Sequence, residues 1–364
     1  MLFRSLLSEH PRYHDACTGI EETVHLNVYA PVDGEVQLVD IVGDLGGFAF
    51  RNLDEPCKNS FDDSEGNRYI TCINADISDA DSNLGIVTAR GNWKGKTKGG
   101  LVRTCDNFKT FDRIGMPFGI NAEIDRKLHE IENPNVNAGW VAMSPDGVNI
   151  VWSVADGIRL PVELVLVSND GGHSFQKAGV FDLAGQPVET GYLKVFSDRS
   201  RKDLFYGFGG ASEIYVSRDG GRNFYQKQPK EAFPVCDFGI FYLALGDAGL
   251  YKLCYDTKTE EIHVKRLTDT GDACYRMGLG VIGEDRDYLT EEKAIYFCGR
   301  LEGEYGFYRT FDEGKSYERL NQDNQMYGEI NSIDGDKRKF GRFFLATGSR
   351  GVLYGEMKRQ SRKI

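Results

Sequence analysis

Ser168-Asn169-Asp170-Gly171-Gly172-His173-Ser174-Phe175 decides how this chain folds, because it returns as Thr310-Phe311-Asp312-Glu313-Gly314-Lys315-Ser316-Tyr317. Both fit Ser/Thr-x-Asp-x-Gly-x-Ser/Thr-aromatic. A third copy, Ser217-Arg218-Asp219-Gly220-Gly221-Arg222-Asn223-Phe224, replaces the second hydroxyl with Asn223. A fourth, Thr104-Cys105-Asp106-Asn107-Phe108-Lys109-Thr110-Phe111, has Phe108 where the glycine belongs. This is the Asp-box pattern. A carboxylate there accepts the backbone N–H groups of its own turn, glycine takes a positive φ, and the last aromatic packs between sheets. Asp106, Asp170, Asp219 and Asp312 are therefore read as structural Asp-box residues joining the outer two strands of a blade, not as catalytic or calcium-binding groups.

Asp106 to Asp170 is 64 residues, Asp170 to Asp219 is 49, and Asp219 to Asp312 is 93. The last interval holds two periods of 46 to 47 with a silent copy near Tyr251 to Leu267, where paired strands lack the box. A period of about 45 to 50 residues with four strands each is the arithmetic of a propeller blade. Seven segments open near Glu22, Tyr69, Ala138, Tyr192, Phe233, Arg276 and Gly328. In the third, Trp140–Ser144 and Asn149–Ser153 flank Pro145-Asp146-Gly147 as a hairpin. The expectation is an all-β, seven-bladed β-propeller, closed by N-terminal residues pairing within the last blade. Its bounds are 19–357, after an N-terminal extension or linker at 1–18 and before a basic tail at 358–364. A β-sandwich is the runner-up, disfavoured by the long regular period.

Composition agrees. The 364 residues include 43 glycines, 22 Phe and 18 Tyr, which suits many strands and tight turns. Helical periodicity is confined to Ile124–Ile131, inside an insertion from Phe118 to Asn137 that covers one mouth of the ring or is a plain loop. A net charge of −11 argues against nucleic acid or a membrane surface as partner. No apolar run reaches transmembrane length, and Met1–His14 does not read as a signal peptide. Among eight cysteines there is no Cys-x-x-Cys; Cys72, Cys254 and Cys298 lie in strand-like runs and read as buried free thiols. Six scattered histidines give no metal triad, and no phosphate-cradling loop or zinc-protease motif occurs, so no cofactor is expected.

Gly19-Ile20-Glu21-Glu22-Thr23 and Val42-Gly43-Asp44-Leu45-Gly46-Gly47-Phe48, with Ser144-Pro145-Asp146-Gly147 and the run Gly341–Gly355, resemble the second propeller of glycoside hydrolase family 74. These are the xyloglucanases and oligoxyloglucan hydrolases, and the resemblance runs from about Gly19 to Glu356. It implies two tandem propellers around a cleft, an inverting reaction on xyloglucan or β-glucan, and an extracellular setting. It also implies that Asp44 is the general acid, with the base on a companion N-terminal propeller. The chemistry suits the assignment. Inversion needs two carboxyls about 6.5–9.5 Å apart, one protonated and one ionised, and Val42, Leu45 and Phe48 supply apolar neighbours.

Sugar binding calls for exposed aromatic faces. Trp93 in a Gly/Lys loop, Trp140 at the start of an inner strand, and Tyr327 are the candidates, whereas Trp152 reads as core. Where the family has a run similar to Asn-Asp-Asp-x-His-x-Tyr-Gly-x-Trp, this chain has Asn321-Gln322-Asp323-Asn324-Gln325-Met326-Tyr327-Gly328-Glu329-Ile330, without the His and the Trp. A non-catalytic propeller binding glycan or protein is the alternative. A sialidase reading of Ile158-Arg159-Leu160-Pro161 is set aside, because there the run follows the first box instead of preceding it.

Overall fold

A computed structural model describes residues 3–5, 23–57, 60–92, 97–131, 138–154, 164–189, 192–210, 213–230, 240–289 and 292–357. Seven sheets form seven blades. Described inner strands are His25–Tyr29, Cys72–Ile77, Trp140–Met143, Lys194–Ser197, Ala273–Val281 and Ile330–Gly335, in blades 1, 2, 3, 4, 6 and 7. Phe3–Ser5 pairs in parallel with Val352–Gly355, so the chain start supplies the outer strand of blade 7 and closes the ring. The expected hairpin is present, with Ile150–Ser153 opposite Trp140–Met143. Trp152 is buried and its indole N–H donates to the Ala138 carbonyl at 2.6 Å.

Blade 5 is the irregular one. Beside a short parallel edge strand, Pro229–Lys230, its described strands are Ile240–Ala244, Leu250–Asp256 and Glu261–Arg266. Leu267 N–H bonds to the Leu250 carbonyl and Leu267 lies against Gly314 of the next blade. Ile114 does the same in blade 2, bonding to Leu101 and meeting Gly172. By this equivalence the three are the second to fourth strands. The innermost position, and the segment start expected near Phe233, fall outside the described residues. The silent copy is the plain turn after Asp256, whose carboxylate accepts the Lys258 N–H at 2.8 Å.

The four repeated turns join third to fourth strands. In one of them Asp170 accepts the His173 and Ser174 N–H groups at 3.0 and 2.9 Å, and the Ser174 hydroxyl at 2.6 Å. Asp312 has the same partners in Ser316, whose hydroxyl and N–H hold its carboxyl down at about 2. Phe108 stands at φ +62° where the other copies have Gly172, Gly221 and Gly314. Its buried ring, packed on Phe61 and Phe111, offsets that strain.

Apolar clusters fill the seams between blades. Val39, Ile41, Val87 and Val102 join blades 1 and 2. Phe344 and Tyr354 meet Val28 and Leu38 where blade 7 meets blade 1. Each large side chain so buried contributes roughly 1.5–3 kcal/mol. The insertion holds one helix, Ala122–Ile131, capped by Asn121, whose side-chain oxygen accepts the Ile124 N–H at 2.9 Å. Ile124 and Leu128 are buried in the seam of blades 2 and 3, so the helix packs into that seam. Cys72 and Cys298 are buried free thiols. Cys254 corrects the expectation: it is disulfide-bonded, to a partner outside the described residues. A strand-centre position says that a sulfur is buried, not what it meets.

Asp312 has a depressed folded-state value, so its stabilisation is complete above the unfolded carboxyl range near 4 and is lost as pH falls toward 2. Melting curves of Asp312→Asn should therefore lie below the unmodified chain by a constant gap from pH 7 to about 4, closing toward pH 2. A gap unchanged at pH 2 would contradict this account of the turn.

Candidate functional site

Strands alternate in direction within each blade, so turns joining first to second and third to fourth strands share one face. The bonds agree: Asn169 of a repeated turn donates to Asn149, and Gly220 to the Asp203 carbonyl, both in first-to-second turns. The second-to-third turns and the connectors to the next blade open on the opposite face. Asp44 lies there, between Leu38–Val42 and Gly46–Phe50 of blade 1. Trp140 opens its inner strand on the same face, and Tyr327 lies in the connector from blade 6 to blade 7. Trp93 lies outside the described residues, but the strands on either side of its segment, Gly85–Ala89 and Gly100–Thr104, end and begin on this face. Ile158–Pro161 is likewise outside them.

The Asp44 turn is built by close approach. Asp44 holds φ +62°, a conformation that costs an L-residue roughly 1–2 kcal/mol. Its N–H donates to Thr71 Oγ1 of blade 2 at 3.1 Å, while Gly43 and Gly46 donate to the Val24 and Ile70 carbonyls at 2.8 and 3.1 Å. A Cβ on Gly46 would lie 2.7 Å from the Tyr69 carbonyl oxygen, and one on Gly47 2.6 Å from the Phe61 ring. The glycines are thus dictated by packing against 61–71. The Asp44 carboxylate is exposed, and among the described residues nothing hydrogen-bonds to it. The other carboxyl of this hairpin, Asp40, is buried and paired with His25 Nδ1 at 2.8 Å. Burial pushes the Asp40 carboxyl up, against the pull of His25.

From the inner wall outward to the second strands runs a string of rings that the sequence reading did not single out. Trp140 meets Phe196 at 5.8 Å between centroids, with Lys194 Nζ 5.1 Å from the indole centroid. Phe196 continues to Phe208, and Phe208 to Phe241, each at 5.8 Å. Phe196 is 42% exposed while its neighbour Val195 is buried. Part of the signal was available in Lys-Val-Phe-Ser, because alternation sets Lys194 and Phe196 on the sheet face opposite the core Val195. Partial desolvation, then the charge of Arg276 on blade 6, holds the Lys194 ammonium below its usual range.

Tyr327 is less open. Its ring stacks on Phe307 at 6.2 Å and packs against the cluster between blades 6 and 7. Gln325, where the resemblance has a histidine, is buried and its side-chain oxygen accepts the Gln322 N–H at 2.9 Å. Asn321 accepts the Phe307 N–H at 2.8 Å. This stretch is folded inward as structure.

The hole is filled at its other end. Arg199 of blade 4 binds Asp79 at 2.6 Å and Asp76 at 3.1 Å, both of blade 2. Lys337 of blade 7 binds Asp334 at 2.7 Å, and Asp334 accepts the Ala30 N–H of blade 1 at 2.9 Å. Burial pushes the Asp76 and Asp334 carboxyls up, against Arg199 and Lys337 respectively. Approach to the inner strands is therefore from the Asp44 face. Among the described residues, no group of three His, Cys, Asp or Glu is placed to hold a metal.

No family model matches the chain. It is 28% identical over 352 residues to a xyloglucanase of Paenibacillus sp, covering 93% of this chain and 30% of that protein. It is 26% identical over 379 residues to an oligoxyloglucan-reducing end-specific xyloglucanase of Emericella nidulans, covering 96% of this chain and 43% of that one. The chain thus spans less than half the length of these curated relatives. A solved glycoside hydrolase family 74 xyloglucanase from Xanthomonas campestris superposes with a TM-score of 0.71 at 21% identity, over 93% of this chain and 44% of that one. It is a likeness of fold.

Relief of the left-handed strain gives a measurable sign. Asp44→Gly should raise the unfolding free energy by about 0.5–1 kcal/mol in urea titrations. A loss of stability would show that the aspartate side chain holds the turn.

Proposed function

We propose that this chain, similar over nearly its whole length to xyloglucanases, is the second, C-terminal propeller of a two-propeller glycosidase of glycoside hydrolase family 74 acting on xyloglucan or a related β-glucan. Asp44 is the general acid of an inverting reaction. It gives its proton to the glycosidic oxygen as the bond to the anomeric carbon breaks. A carboxylate on the companion N-terminal propeller takes a proton from the water that attacks that carbon from the other side. The observation that carries this reading is the exposed, strained Asp44 turn, standing on the face left open when Arg199 and Lys337 fill the opposite mouth. A carboxyl with no bonding partner among the described residues is free to meet a substrate oxygen.

The rest of that face is consistent with the reading. Trp140 and Phe196 offer ring surface to a pyranose, and Lys194 a donor to its hydroxyls. A disulfide at Cys254 suits an oxidising, extracellular compartment. One observation favours the alternative of a non-catalytic glycan- or protein-binding propeller: Gln325 is buried in structural bonds where the resemblance puts a histidine.

Two measurements separate these. In the chain joined to its companion propeller, Asp44→Asn should lower kcat on xyloglucan by about 10²–10⁴-fold with KM nearly unchanged. Unchanged turnover would leave only the binding reading. In native gels cast with xyloglucan, the isolated chain should be retarded and Trp140→Ala should lose most of that retardation. Migration unaffected by the polysaccharide would defeat both glycan readings.

A further inference from the structure

The two ends of the central hole treat their cations differently. At the filled end each cation meets carboxylates, Arg199 those of Asp76 and Asp79, and Lys337 that of Asp334. At the open end stand Lys194, first residue of the inner strand of blade 4, and Arg276, on the inner strand of blade 6. Both are exposed, and neither forms an ion pair among the described residues. Arg276 donates its Nε and one amino group to the Asn331 and Tyr275 carbonyls, at 2.8 and 2.7 Å. Those two bonds fix the guanidinium and leave its charge uncancelled. Lys194 holds its ammonium 5.1 Å from the Trp140 ring centroid and makes no hydrogen bond among the described residues.

Scarcity of acid is not the reason, because the chain carries 55 Asp and Glu against 44 Lys and Arg. Asp247, in the blade 5 turn on the same face, accepts the Tyr275 hydroxyl at 3.2 Å and pairs with neither cation. What the Lys194 ammonium feels, besides partial loss of water, is the like charge of Arg276. Two cations left to repel each other are relieved together by one incoming anion. The surface beside them says what carries that anion. The Trp140 indole lies against Lys194, and the Phe196 ring, 42% exposed, stands 5.8 Å from it. Such faces suit a pyranose ring, and a bare inorganic ion would leave them unused. A carboxylate is the anion that guanidinium amino groups match best in shape.

We propose that the open end of the hole binds an acidic sugar, a pyranose bearing a carboxylate, with Arg276 and Lys194 on the carboxylate and Trp140 against the ring. The choice of a sugar rests on the function proposed above; the demand for negative charge does not. A β-glucan carrying uronic acid units is then a better ligand than a neutral one.

Titration calorimetry of the full chain tests this with cellotetraose and with cellotetraose whose terminal hydroxymethyl group is oxidised to a carboxylate. The acidic sugar should bind about 10-fold more tightly at low salt. That advantage should shrink in about 0.5 M NaCl, where exposed charges are screened. Lys194→Met and Arg276→Gln should each lower the advantage, and the double variant should remove it. Lys194 has no hydrogen bond to lose, so Lys194→Met reads the site even where Arg276→Gln fails to fold. Equal affinity for the two sugars, an advantage untouched by Lys194→Met, or sodium acetate binding as tightly as the acidic sugar overturns the acidic-sugar site and leaves the glycosidase reading standing. Binding of neither sugar by the unmodified chain overturns both.

Discussion

Every sheet in this molecule has two apolar faces, and that constraint governs the rest. A blade such as Ile86-Val87 in blade 2 is buried on both sides, with Ile86 turned to blade 3 and Val87 to blade 1. No blade can end the series without exposing a face, so the stack must curve until blade 7 meets blade 1. Phe344 and Tyr354 packed on Val28 and Leu38 are that meeting, and Phe3–Ser5 latches it from the far end of the chain. The repeated turns serve the same end. They satisfy their own backbone groups through one carboxylate, so each outer hairpin closes without help from a neighbour.

Closure of the ring also sorts the chemistry by face. The turn carboxylates Asp106, Asp170 and Asp312 are each spent on a hydroxyl and backbone N–H groups. At the inner-strand ends on that side, Arg199 pairs with Asp76 and Asp79, and Lys337 with Asp334. On the other face Asp44 is exposed in a conformation it adopts at a cost. Stability alone favours glycine there, as at Gly46 two residues on.

The blade count, the hairpin at Trp140–Ser153 and the short helix were legible because they are local. A period, an alternation and a cap are written in neighbouring residues. Asp44 was visible as a motif, but its support by Thr71 was not, since 27 residues separate the two. Phe196 and Lys194 were legible in principle and overlooked, because exposed aromatics on an inner strand look like core until the hole is known. The Cys254 disulfide was hidden, since strand patterning fixes burial and leaves the sulfur's partner open.

The account turns on which face meets the glycan, and hydrogen–deuterium exchange reads that directly. With a xyloglucan oligosaccharide present, amides of 43–46, 140–143 and 194–197 should exchange more slowly, while those of the repeated turns at 104–111 and 168–175 keep their rates. Protection confined to the repeated turns, or no protection anywhere at saturating sugar, would contradict it.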